Sequence, residues 1–94
     1  MTAAEAYIAE RNAKRAAGMD IALHAPFRPG AQDLRLAGVR KVDGQALVLL
    51  KADAFVMVMR LDALSESRVG RMKVGDPIVI RDGVVQGRAR RRSR

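Results

Sequence analysis

The side chains able to do chemistry are few, and their spacing decides against most of it. The single histidine, His24, stands beside Pro26, and there is no second histidine and no cysteine to complete a metal site. It reads as a solvated or half-packed loop residue. The three serines, Ser65, Ser67 and Ser93, lie outside any G-x-S-x-G elbow, so a nucleophilic triad has no support. Asp43, Asp53 and Asp82 sit beside turns, where capping of backbone donors accounts for them better than paired acid–base work. Gly70 and Gly75 in VGRMKVGD lack the spacing of a phosphate-cradling loop, and no dinucleotide fingerprint occurs. The chain is therefore expected to be no enzyme, with no catalytic residue, no metal and no cofactor.

Charge supplies the sharp candidate. Eighteen Lys and Arg face 10 Asp and Glu, for a formal net charge of +8. Five of the arginines lie between Arg88 and Arg94; the 13 basic residues before them exceed the 10 acids by only 3. Arg88, Arg90, Arg91, Arg92 and Arg94 can pair with phosphates without regard to sequence. Arg11, Lys14, Arg15, Arg40, Lys41, Arg71 and Lys73, with Arg35 and Arg68, extend that footprint where folding brings them to one side. The expected partner is nucleic acid, DNA bound non-specifically. The aromatic residues are only Tyr7, Phe27 and Phe55, which speaks against base stacking on single strands. A terminal arginine run is also, in many chains, simply a solvated tail.

The elements that must position these residues follow from composition and period. Ninety-four residues fit one domain, and 49% hydrophobic content without Trp implies an aliphatic, methionine-rich core. The absence of cysteine suggests a reducing compartment, here the cytoplasm. No apolar run reaches the roughly 18–20 residues of a membrane span, and MTAAEAYIAE carries acids where a signal peptide is basic, so no membrane partner is expected.

Residues 1–18 read as a helix. Thr2 and Glu5 have capping-box spacing, Glu10 and Lys14 stand at i,i+4, and Gly18 suits the left-handed closing position. The apolar stripe of this helix, Tyr7 and Ile8, is thin and predicts weak docking with some mobility. Residues 19–33, with Pro26, Pro29 and Gly30, read as a connector. From Leu34 the pattern is LRLAGVRKV, ALVLLK and AFVMVMRL separated by turn signals, then a polar stretch read as a single helical turn or loop, then PIVIR and VVQGR around Asp82-Gly83. Five short strands with tight connections predict a mainly β chain with an N-terminal α-helix, the strands closing into an SH3-like small barrel over residues 34–89, followed by a disordered basic tail at 90–94. Residues 47–50 and 55–59 are apolar on both faces, which requires cover by the helix or by another subunit. Met57 and Met59 read as core or interface filling.

The stretch YIAERNAKRAAGMDIALH resembles a Y-I-x-E-R-x-x-K-R-x-x-G-x-D-I-x-x-H signature of conjugative relaxases of the TraI and MobA kind, in an accessory region after the nicking domain. Tyr7, Ile8, Glu10, Arg11, Lys14, Arg15, Gly18, Asp20, Ile21 and His24 carry the match. LSESRVGRMKVGDPIVI resembles KfrB-like small barrel modules of mobile-element proteins. The resemblance implies a piece of the DNA-transfer apparatus and brings no active site: relaxases nick with a tyrosine served by a histidine-rich metal site, and Tyr7 has no such company. The function expected is a non-catalytic accessory module of plasmid conjugation or mobilisation that contacts DNA phosphates. The alternative is a protein-interaction or oligomerisation module, bound to another transfer protein or as a homodimer through the apolar 47–59 hairpin.

Overall fold

The computed structural model describes residues 1–30 and 33–88. Helix α1, Ala3–Ala16, starts where the capping box places it. The Thr2 hydroxyl accepts from the Glu5 backbone N–H at 3.1 Å, and the Glu5 carboxylate accepts from the Thr2 N–H at 2.8 Å. It ends at Gly18, whose φ of 105° lets its own N–H reach the Arg15 carbonyl at 3.1 Å while the Met19 N–H reaches that of Lys14 at 3.1 Å. That reciprocal pair is the Schellman closure that glycine permits and a side chain with Cβ resists.

The strands are β1 (Leu23–Pro26), β2 (Arg35–Val42), β3 (Gln45–Ala52), β4 (Phe55–Arg60), β5 (Ile78–Arg81) and β6 (Val84–Arg88), with helix α2 (Ala63–Val69) between β4 and β5. The fold is mainly β with an N-terminal helix, as expected. There are six strands rather than five, arranged as a four-stranded sheet β1-β4-β3-β2 and a two-stranded ribbon β5-β6, with no closed barrel among the described residues. The added strand, β1, lies inside the span read as connector and pairs parallel to β4 from Leu23 opposite Phe55 to Pro26 opposite Val58. The polar stretch after β4 is helical but longer than the single turn expected, a seven-residue helix.

The ribbon begins to close on the sheet and then stops. Leu36 N–H donates to Asp76 O at 2.9 Å, Gly75 N–H to Leu36 O at 2.7 Å and Ile78 N–H to Leu34 O at 3.0 Å, with one bridge between Arg35 and Pro77. An extra residue in β2 shifts its register on β3 between Leu36 and Gly38. Such a bulge bends the strand and interrupts regular pairing.

Asp43 (φ 51°) with Gly44 (φ 77°), and Asp82 (φ 54°) with Gly83 (φ 74°), form the left-handed pairs of tight hairpins, and Asp53 (φ 56°) turns β3 into β4. Their role in the turns is this backbone conformation; none makes a side-chain hydrogen bond among the described residues, which corrects the capping role expected of them.

The doubly apolar strands fill two cores, one on each face of the sheet. Ala46, Val48, Leu50, Met57 and Met59 point to the side covered by α2 and the ribbon, where they meet Leu61, Val69, Ile78 and Val85. Leu47, Leu49, Val56 and Val58 point to the other side, against Ala4, Tyr7 and Ile8 of α1. Leu47, Val48 and Leu50 are all fully buried. At about 1.5–3 kcal/mol per fully buried aliphatic side chain, burial on both faces is the largest favourable term available to the chain. Cover comes from the chain itself, so the apolar residues of the 47–59 hairpin offer no surface to a partner, and the interaction module expected to use them loses its site. Met57 and Met59 are core filling.

Two exposed carboxyls hold the helix starts. Hydrogen bonds from the Thr2 backbone and side chain hold Glu5 below its ordinary value of 4.5, and the Ser65 backbone N–H, 2.7 Å from the Asp62 carboxylate, holds Asp62 below 3.8. A lowered folded value means that this stabilisation is complete above the unfolded-chain value and is lost as pH falls through the folded one. Helical circular dichroism is therefore expected to decline as the pH falls below these ordinary values. Glu5→Gln with Asp62→Asn should flatten that part of the profile; an identical profile in the double variant would contradict the assignment.

Candidate nucleic-acid interface

The basic residues expected to form one footprint fall on two sides of the sheet. Arg11, Lys14 and Arg15 ride on α1. In β2, Arg40 lies opposite Leu47 and so takes the α1 side, whereas Lys41 lies opposite Ala46 and takes the α2 side. Arg71 and Lys73 are exposed in the segment between α2 and β5, and Arg88 is exposed at the end of β6, all on the α2 side. Arg90, Arg91, Arg92 and Arg94 lie outside the described residues.

Strand alternation adds two cations that the sequence reading missed. Lys51 lies opposite Val56 and Arg60 opposite Leu47, so both join Arg40 on the α1 side. The signal was available in the period of two through Val56, Val58 and Arg60, but it needs the register of β3 on β4 to be read.

Several of the expected cations have local work. Arg68 donates to Val85 O at 2.8 Å, Arg35 to Gly75 O at 2.9 Å and Arg40 to Val39 O at 2.8 Å. Arg11 is half-buried, its guanidinium carbon 6.0 Å from the centre of the Tyr7 ring. Its Nε is buried without a hydrogen-bond partner among the described residues.

The acids are deployed differently. Glu5 and Asp62 start the helices, the Asp76 carboxylate accepts from the Lys73 N–H at 2.9 Å, and Asp33, Asp43, Asp53 and Asp82 hold left-handed turns. One ion pair occurs among the described residues, Lys41 to Glu66 at 3.6 Å, with both side chains exposed. Three carboxylates thus bind backbone N–H groups and one pairs with Lys41, while most cations of the described residues project into solvent without a close counter-charge.

His24 is neither solvated nor in a loop. It lies in β1, 7% exposed, with Nδ1 donating to the Ala22 carbonyl at 2.8 Å and the ring edge-on to Tyr7 at 5.8 Å. The side-chain amide of Asn12 grips the same residue from α1: Nδ2 donates to His24 O at 2.9 Å and Oδ1 accepts from His24 N–H at 2.9 Å. An asparagine amide offers the donor and acceptor that a neighbouring strand would offer, so it closes the outer edge of β1. α2 treats Val85 of β6 in the same way, with Ser65 Oγ accepting from its N–H at 3.0 Å and Arg68 taking its carbonyl.

Residues 3–86, from the first turn of α1 into β6, match the family model of the TraI-like C-terminal domain. The chain belongs to this family. It is similar to two proteins from Escherichia coli, each called Protein TraI: one is 45% identical over 75 residues, covering 80% of this chain and 10% of that protein, and the other is 40% identical over 81 residues, covering 85% and 11%. This TraI-like C-terminal domain therefore spans about a tenth of the length of those relatives. No solved structure matches it. Within it, the signature residues Tyr7, Arg11 and His24 form the seam between α1 and β1.

Removing the Asn12 clamp leaves two partly buried backbone groups without partners, at about 1–3 kcal/mol each before relaxation. Asn12→Ala is expected to cost about 2 kcal/mol and lower the midpoint of thermal unfolding by roughly 10 °C, whereas Lys14→Ala on the exposed face should shift it by less than about 2 °C. Equal midpoints in calorimetry for the two variants would remove the clamp from the account.

Proposed function

We propose that the chain is a non-catalytic accessory module of conjugative DNA transfer, working in the cytoplasm, that holds DNA by its phosphates. The observation that carries this reading is the gathering of cations on one side of the sheet. Lys14, Arg15, Arg40, Lys51 and Arg60 stand exposed on the α1 side, and the one ion pair among the described residues, Lys41 with Glu66, lies on the other. A surface whose cations lack close counter-charges attracts a polyanion irrespective of base sequence, because binding releases the counterions condensed on it. The arginines from Arg88 to Arg94 add to that field. Family membership supports the setting, since the TraI-like C-terminal domain is associated with conjugation.

The non-catalytic half of the reading rests on what the reactive side chains are doing. His24 Nδ1 and backbone are both engaged, the Tyr7 ring packs between His24 and Arg11, and Ser65 is fully buried on the Val85 N–H. Each has a structural task that would have to be broken before it could meet a substrate.

Anisotropy of a labelled duplex of about 20 base pairs over a salt series tests the proposal. Ending the chain at Arg88 keeps the pairing of Arg88 with Ile78 and removes only the last arginines. With four arginines removed, the slope of log K against log salt is expected to fall by up to roughly 3 to 4, and the double reversal Lys14→Glu, Arg15→Glu should lower it further. A slope that neither change alters would overturn the reading, as would absence of binding at low salt.

A further inference from the structure

β2 forms one edge of the four-stranded sheet, and only its first half is covered. Leu36 exchanges hydrogen bonds with residues 75 and 76, and beyond it no strand of the described residues pairs with the outer side of β2. The direction of the uncovered groups follows from the ladder. The Leu61 N–H bonds Ala46 O, so Ala46 and, two residues on, Val48 turn their backbone groups toward β4. Their partners across the other side, Lys41 and Val39, then direct theirs away from β3. The Arg40 guanidinium on Val39 O, at 2.8 Å, fits that direction.

Beside these two residues, on the α2 side, lies a cleft of about 430 Å³ whose apolar lining includes Leu36, Val39, Leu61, Val69, Met72 and Val74. Val39 is 41% exposed and Val74 72% exposed. Lys41, Arg71 and Lys73 stand exposed on this side; Glu66, the only carboxylate in the lining among the described residues, already faces Lys41. An open strand edge and an apolar floor thus coincide, with Lys41, Arg71 and Lys73 on the side of the floor and Arg40 on the other side of the edge.

We propose that this edge and cleft dock an extended segment of a partner protein in which apolar and acidic residues alternate. The segment adds to β2 as a further strand through the backbone of Val39 and Lys41. Every second side chain then enters the cleft, and the intervening ones fall on the side of Arg40. An incoming N–H takes the Val39 carbonyl and releases the Arg40 guanidinium to an acidic side chain. A second copy of the chain suits the edge poorly, because pairing β2 with itself brings Arg40 and Lys41 up against cations of the other copy. The cleft lies across the sheet from the surface assigned to DNA, and Arg40 is the one cation the two share.

The experiment uses the full chain and a fluorescein-labelled peptide of about six alternating glutamates and valines, with one control in which lysine replaces glutamate and one in which glycine replaces valine. The Glu/Val peptide is expected to bind and to shift the amide resonances of Val39 and Lys41, with both controls at least about tenfold weaker. Val39→Pro removes an outward N–H, a place where a strand tolerates proline, and should weaken binding at least about tenfold while the unfolding midpoint holds. Val74→Asp, at an exposed position, should do the same and decides the matter if the proline variant does not fold. Equal binding of the Glu/Gly peptide would reduce the site to diffuse charge and overturn the proposal. So would parental affinity in both variants, or sedimentation showing self-association that Val39→Pro abolishes, which would give the edge to a second copy.

Discussion

A hairpin apolar on both faces cannot leave either face to water, and the rest of this molecule is arranged around that demand. Leu47 and Val48 are neighbours in sequence, point in opposite directions and are both fully buried. One face takes α1, the other takes α2 with the β5-β6 ribbon. Neither helix is long or apolar enough to hold its place by burial alone, and each adds a polar grip on a single strand residue, Asn12 on His24 and Ser65 with Arg68 on Val85. Hydrophobic cover decides which faces are closed, and directional bonds fix where each helix sits along them.

What could be read from the chain was local. The capping box at Thr2 and Glu5, the glycine stop at Gly18 and the Asp-Gly turns act within a few residues, and each appears where its spacing placed it. The demand for cover over residues 47–59 was equally legible, because adjacent apolar residues in a strand necessarily point both ways. β1 escaped notice because LHAP is short, contains Pro26 and finds its partner in parallel with β4, a pairing that leaves no turn in the sequence. Counting tight turns then suggested closure into a barrel, whereas the approach of residues 75–78 to β2 ends after one bridge. His24 looked loop-like for the same reason: without β1 there was no strand to bury it.

The candidate surface was legible as composition and illegible as place. The excess of cations is visible in any count, but which of them share a side depends on register, and register is a property of strand pairs rather than of single segments. Lys51 and Arg60 were overlooked while Lys41 was grouped with residues on the opposite side of the sheet. The local ties of Arg11, Arg35, Arg40 and Arg68 are likewise invisible in a list of basic residues.

The bulge in β2 settles that allocation. Leu36 faces the α2 side, and in an uninterrupted strand the residue four places on would face it too, handing Arg40 to the cleft and Lys41 to the helix side. The extra residue between Leu36 and Gly38 reverses the parity, so Lys41 meets Glu66 and Arg40 is sent across the sheet. One residue of chain length therefore acts as an address label for two adjacent charges, while β3 behind it keeps both of its partners in step. In a protein with two working surfaces, such an insertion can trade charge between them without exchanging a single amino-acid type.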